Sequence, residues 1–107
     1  MRRGDLVAAV IAGDYSKPRP TLVVQADMLE EMASLTLLPL TSDLRPWPAF
    51  RIMIEPTRGN GLWKPSQIMV DKAVTVLRTK VGQHIGRLDE TTMDRVDRAL
   101  ARFLGLD

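Results

Sequence analysis

The sequence predicts a mainly β protein: a small, strongly bent sheet or barrel with a single amphipathic helix packed on it at the C-terminus. Three observations lead there. Short apolar runs alternate with glycine, proline and asparagine turn signals over most of the chain. A helical period appears only after Leu88. The 107 residues, 45% of them hydrophobic, suit one domain spanning 1–107, and a chain of this size buries about 65% of its unfolded surface.

The elements follow in order. Asp5 to Ala12 (DLVAAVIA) and Thr21 to Gln25 (TLVVQ) read as strands, with Gly13-Asp14-Tyr15-Ser16 as the turn signal between them. Asp27 to Met32 predicts one or two helical turns with Asp27 as N-cap. Leu35 to Leu40 is a third strand, and Pro39 inside it points to an edge or a bulge. Phe50 to Glu55 is the fourth, followed by a glycine- and proline-rich loop, Pro56 to Pro65. Ser66 to Val76 is a fifth strand with a break near Lys72-Ala73, and His84 to Leu88 a short sixth. From Asp89 on, Met93, Val96, Leu100, Phe103 and Leu104 share one helical face, while Asp94, Arg95, Asp97, Arg98 and Arg102 take the other.

Composition removes several kinds of chemistry. With no cysteine, disulfide frameworks, zinc–thiolate sites, iron–sulfur clusters and cysteine nucleophiles are excluded. One histidine, His84, cannot build a histidine-rich metal site. No stretch reaches the ~18 apolar residues of a membrane span and no signal peptide is evident, so the cytoplasm is the expected location. Charge is uneven: between Leu44 and Leu88 eight basic residues face Glu55 and Asp71, net +6, whereas the remainder is net −4, against a total of +2. Such a basic middle suits a polyanion, or is a set of solvated strand and loop side chains.

Catalytic signatures of the serine hydrolase, zinc protease and P-loop kinds are absent, and Gly59-Asn60-Gly61 reads as a tight turn. The singular feature is Pro18-Arg19-Pro20. Each proline fixes its own φ and biases its predecessor toward extended geometry, so Arg19 rides on a stiff segment. Either the segment is a rigid loop with a solvated arginine, or it mounts a guanidinium for use.

Taken in order, RGDLV at 3–7, KPRPTLVVQ at 17–25, LPLTS at 38–42, NGL at 60–62, SQIMVDK at 66–72, IGRLDETTMDRVDRAL at 85–100 and the terminal FLGL resemble the MazF/PemK family of toxin endoribonucleases from type II toxin–antitoxin modules. The resemblance covers nearly the whole chain. It implies an SH3-like barrel with a C-terminal helix, forming a homodimer. It also implies cleavage of single-stranded RNA without metal or other cofactor, leaving a 2′,3′-cyclic phosphate. The implied partner, besides RNA, is a cognate antitoxin whose acidic, disordered tail covers the basic groove.

The resemblance assigns catalysis to Arg19 and Thr41, with Asp71 as a third candidate. Cleavage by the neighbouring 2′-hydroxyl builds negative charge on phosphate oxygens, which a preorganised guanidinium stabilises bidentately. Thr41 suits a hydrogen bond to phosphate or to the attacking hydroxyl; otherwise it bonds the local backbone. Asp71 suits a general base, or a salt bridge to Lys72, Arg78 or Arg19. Lys17, Ser42, Arg45, Trp47, Arg58, Lys64 and Lys72 are the candidate RNA contacts, with Trp47 able to stack on splayed bases or meet a partner. For Trp63 neither role is preferred. His84, whose side-chain type ordinarily titrates near neutrality, falls away from the Arg-Pro motif in the family layout and reads as structural.

The chain departs from the family pattern in places. Met69 stands where some members carry an arginine before the Asp, Val74-Thr75-Val76-Leu77 replaces an R-T-x-D stretch, and no His or Glu occupies the loop before Arg19. An alternative keeps the barrel and changes the function: CcdB-like toxins poison DNA gyrase by binding. Their terminal Trp-Gly-Ile is only partly echoed by Phe103-Leu104-Gly105-Leu106-Asp107.

Overall fold

The computed structural model describes residues 1–14 and 17–107, and the architecture is of the expected class, with seven strands among the described residues instead of six, in a bent antiparallel sheet, and a C-terminal helix. The strands are β1 (Asp5–Val10), β2 (Pro18–Val23), β3 (Ser34–Thr41), β4 (Arg51–Ile54), β5 (Ser66–Met69), β6 (Val74–Leu77) and β7 (Val81–Arg87); the helix is α1 (Glu90–Phe103). Spatially they run β4-β5-β3-β2-β1-β7, with β6 also on β3.

Side-chain alternation explains why β1 to β3 lie at the centre. Leu6, Leu22, Leu38 and Leu40 enter one buried cluster with Ile52, Ile54, Ile68, Val70, Met93 and Val96. Their neighbours Val7, Ala9, Val23, Leu35 and Leu37 enter a second cluster, against Val74, Val76 and Val81. Both faces of these strands are therefore covered, the first by α1 with β4 and β5, the second by residues of β6 and β7. The helix contributes through Met93, Val96, Ala99 and Leu100, and Asp89 caps it by accepting the Thr92 N–H at 2.8 Å.

Several boundaries differ from the sequence expectation, each for a physical reason. Pro39 marks no edge: β3 is central, paired through Leu37–Pro39 with β2. On its other side it leaves β6 after Leu37 and joins β5 at Leu40. Pro39 sits at that changeover, where a missing N–H costs nothing. The expected fifth strand is two strands, because Val70 turns into the core, fully buried, within a 3₁₀ turn spanning Val70–Lys72. The last strand starts at Val81, not His84, and β1 ends at Val10. Asp27 does not cap its short 3₁₀ turn; Ala26 holds that position, and the Asp27 carboxylate accepts the Arg3 N–H at 2.7 Å. Of the turn read at Gly13–Ser16, Tyr15 and Ser16 lie outside the described residues.

The second strand begins three residues earlier than expected and includes Pro18-Arg19-Pro20. These three pair with Val10, Ala9 and Ala8 of β1, whereas β3 reaches β2 only from Thr21 onward. Prolines are tolerated at such a free edge. Arg19 thus stands on a stiff strand beyond the reach of β3, above that strand's C-terminal end.

Candidate active site

An open cleft of about 640 Å³ lies where the free edge of β2, the end of β3, the loop Gly61–Lys64 and the middle of β7 converge. Arg19, Thr41, Ser42, Lys64 and His84 line it, with Trp63 on its rim at 96% exposure.

Arg19 is held from two sides. Its Nη2 donates to Asp14 Oδ1 at 2.8 Å and its Nε lies 2.6 Å from Asp14 Oδ2, while Nη1 donates to the Leu40 carbonyl at 3.3 Å. Only a third of the side chain is exposed. A guanidinium has five N–H donors; among the described residues, these contacts leave one on each terminal nitrogen. A phosphate can accept from both of these nitrogens. Asp14 was not among the sequence candidates. Its signal was a carboxylate five residues before Arg19, directly after Gly13 with its positive φ, a spacing that only the β1–β2 turn converts into a contact.

Thr41 ends β3 beside this guanidinium. Its Oγ1 accepts the Asp43 N–H at 3.1 Å, which leaves the hydroxyl proton to donate. The backbone-bonding role foreseen for this threonine and a donor role in the cleft are therefore compatible.

The opposite wall depends on glycine. Gly61 has φ +68°, and a Cβ there would meet the Ile85 carbonyl oxygen at 2.2 Å. Asn60, buried, accepts the Thr57 and Leu62 N–H groups and donates to the Glu55 carbonyl. At Gly86 a Cβ would lie 2.4 Å from Asn60 backbone. The tight turn read at Gly59–Gly61 is thus a backbone-to-backbone clamp that sets Leu62–Lys64 against β7.

Not every candidate residue joins this cleft. Asp71 does not: it lies in the 3₁₀ turn and not in a strand, 3.3 Å from the largely buried Arg51 and 4.0 Å from Lys72. The salt-bridge alternative applies, with Arg51 as the main partner, because Arg51 of β4 is registered opposite Met69, two residues before Asp71. Lys72 is exposed beside it. Lys17 and Arg58 are exposed and line no cleft with Arg19. His84 requires the opposite correction. Expected away from the Arg-Pro motif, it lines the same cleft, its Nε2 3.6 Å from Asp5 Oδ1. Burial pushes the Asp5 carboxyl up, but the Arg2 N–H and the Arg87 guanidinium outweigh this and hold it below the usual carboxylate range.

Arg45 and Trp47 belong to a second groove of about 390 Å³, with Arg51 and the Arg95, Arg98 and Arg102 edge of α1. Gln67, paired across the sheet with Thr41, accepts the Arg45 N–H at 3.0 Å and donates to the Arg45 carbonyl at 2.8 Å. The Trp47 ring stacks on Phe50 with centroids 5.7 Å apart, and the Arg51 guanidinium lies 5.0 Å from it. The segment from Thr41 to Trp47 therefore connects the cleft to the groove.

Comparison with known proteins agrees with this architecture. A family model described as PemK-like, MazF-like toxin of type II toxin–antitoxin system matches residues 2–104. Probable endoribonuclease MazF of Mycolicibacterium smegmatis is 47% identical over 107 residues, covering 99% of this chain and 98% of that protein. Among solved structures, Mycobacterium tuberculosis toxin MazF-mt6 superposes with TM-score 0.83 at 22% identity, over 96% of this chain and 98% of that one. An endoribonuclease in complex with its cognate antitoxin, from a mycobacterial species, gives 0.84 at 21%, over 100% and 97%. These two likenesses bear on the fold; the family rests on the sequence matches, and by them the chain belongs to the PemK-like, MazF-like toxins of type II toxin–antitoxin systems.

Proposed function

We propose that this toxin is an endoribonuclease that cuts single-stranded RNA in the Arg19 cleft by attack of the adjacent 2′-hydroxyl, without a metal, leaving a 2′,3′-cyclic phosphate and thereby blocking translation and growth. The observation that carries the reading is Arg19, clamped by Asp14 and the Leu40 carbonyl with, among the described residues, one donor left on each terminal nitrogen, beside the hydroxyl of Thr41. As the phosphorus becomes five-coordinate, charge grows on its two non-bridging oxygens. The guanidinium meets that charge without reorganising, an effect typically worth about 10²–10³-fold per donor.

Ser42 and Lys64 hold phosphate oxygens beside the cut. Arg45 and Trp47 hold nucleotides further along, over the Thr41–Trp47 segment. The same cationic surfaces suit the acidic tail of a cognate antitoxin, which would inhibit by occupying them. The protein acts as a homodimer in the cytoplasm, where mRNA is available.

Incubation with a long single-stranded RNA in EDTA tests the reading. Cuts ending in cyclic phosphate are expected from the unaltered protein, and a loss of more than about 10²-fold in Arg19→Ala and in Thr41→Ala with the fold retained. No cleavage by the unaltered protein, together with inhibition of DNA gyrase, would overturn it in favour of a binding toxin.

A further inference from the structure

Gln83, His84 and Ile85 of β7 line the cleft. The strand is irregular there, as its register with β1 shows. Asp5 opposes Arg87 and Leu6 opposes Gly86, but Val7 opposes His84 and Ala9 opposes Val81. Between Leu6 and Val7 the partner strand spends one extra residue, Ile85, and between Val7 and Ala9 it spends another. Two irregularities thus flank His84. Bulges of this kind are over-represented beside active sites, where they re-aim a side chain.

The surroundings suit a proton donor. Asp5, held in place by the Arg2 N–H at 2.8 Å and Arg87 Nη1 at 2.7 Å, presents Oδ1 to His84 Nε2 at 3.6 Å. With Nε2 toward Asp5, Nδ1 is the nitrogen left for a ligand. Among the described residues His84 makes no side-chain hydrogen bond, and its side chain is 60% exposed, so no packing role accounts for it. The other charged groups nearby are Arg87 on its own strand and, across the cleft, Lys64 and Arg19 with its Asp14.

We propose that His84 is the general acid of the cleavage, a catalytic residue donating its imidazolium proton to the departing 5′-oxygen. The inference rests on the 2′-hydroxyl reading above. In the step, the 2′-oxygen–phosphorus bond forms and the 2′-proton passes to water. The phosphorus–5′-oxygen bond breaks, and that oxygen takes the proton from His84. The products are a 2′,3′-cyclic phosphate and a 5′-hydroxyl, and solvent returns a proton to the imidazole. General acid catalysis of this kind contributes about 10²–10⁴-fold.

A substrate whose scissile 5′-oxygen is replaced by sulfur separates this role from any other, because a thiolate leaves without being protonated. His84→Gln and His84→Ala, checked for fold by circular dichroism, are expected to cut ordinary RNA at least about 10²-fold more slowly than the unaltered protein. On the sulfur-substituted RNA they should run within about threefold of it. If His84 is the acid, the unaltered protein is expected to lose rate at high pH, and that loss should vanish in His84→Gln. Equal losses on both substrates, or no loss on ordinary RNA, would overturn the assignment. Failure of the unaltered protein to release cyclic phosphate would instead overturn the ribonuclease reading itself, so the two failures are distinguishable.

Discussion

The cleft around Arg19 and the groove around Arg98 are both cationic, yet they are built differently. In the cleft, one guanidinium is fixed by a carboxylate and a carbonyl, and a hydroxyl and an imidazole stand beside it. In the groove, arginines repeat. Arg95, Arg98 and Arg102 are spaced three and four residues apart on one helix edge, an arrangement of like charges that costs an isolated helix a few tenths of a kcal/mol per pair. Arg45 and Arg51 are neutralised by Asp43 and Asp71, whereas Arg95 and Arg98 form no ion pair among the described residues. Mixed groups at fixed positions can divide a reaction into charge stabilisation and proton transfer. Repeated charge can only hold an anion.

Replacing arginine by lysine at both places breaks the comparison most sharply. Lysine keeps the charge and loses the planar fork. Arg19→Lys should lower the cleavage rate by about 10²-fold, whereas Arg98→Lys should weaken RNA binding by less than about threefold, measured by single-turnover cleavage and by titration with labelled RNA. Equal losses at the two sites would mean that Arg19 acts as charge alone.

The next effect is on the scaffold. Gly61→Ala forces a Cβ to within 2.2 Å of the Ile85 carbonyl at a positive φ. It should destabilise the fold by about 3 kcal/mol in denaturant titration, whereas Gly13→Ala, whose Cβ would meet no atom of the described residues within 4 Å, is expected to carry only the strain of its φ of +94°. Similar losses at both glycines would show that φ, not the clamp against β7, governs that wall.

The smallest effect concerns Asp5, on the His84 side of the cleft. Its folded carboxyl lies below the ordinary value of 3.8, so it contributes stability that is fully present above that value. The contribution is lost as pH falls through the lowered folded value. Asp5→Asn should therefore melt at a lower temperature than the unaltered protein at pH 7, with the gap closing as pH falls below the ordinary value of 3.8. A gap independent of pH would assign the loss to packing.

Much of this was legible along the chain. The helix was, because its apolar face and its Asp89 cap are local patterns, although Phe103 and Leu104, read on that face, stay exposed at its end. Arg19 and Thr41 were legible through the family resemblance; the two prolines alone left a rigid loop with a solvated arginine open, and Thr41 alone left a backbone-bonding role open. Asp71 misled because SQIMVDK reads as one continuous strand, and the burial of Val70 that breaks it is decided by the core. His84 misled in the opposite sense. Nothing local in VGQHIGR marks the two irregularities that turn it into the cleft, since they are properties of its pairing with β1. Asp14 went unnoticed because its meeting with Arg19 needs the β1–β2 turn.

By itself, then, the sequence determined the class of fold, its terminal helix, the family and two residues of the cleft, because period, proline stiffness and motif order are short-range. The tertiary structure decided which distant side chains share a cavity. It placed His84 with Arg19 and Asp71 with Arg51, and it sent Lys64 of the basic middle to the cleft and Arg45 and Arg51 to the groove. Register across strands and the curvature of β3 set those meetings, and neither is written in any single stretch of chain.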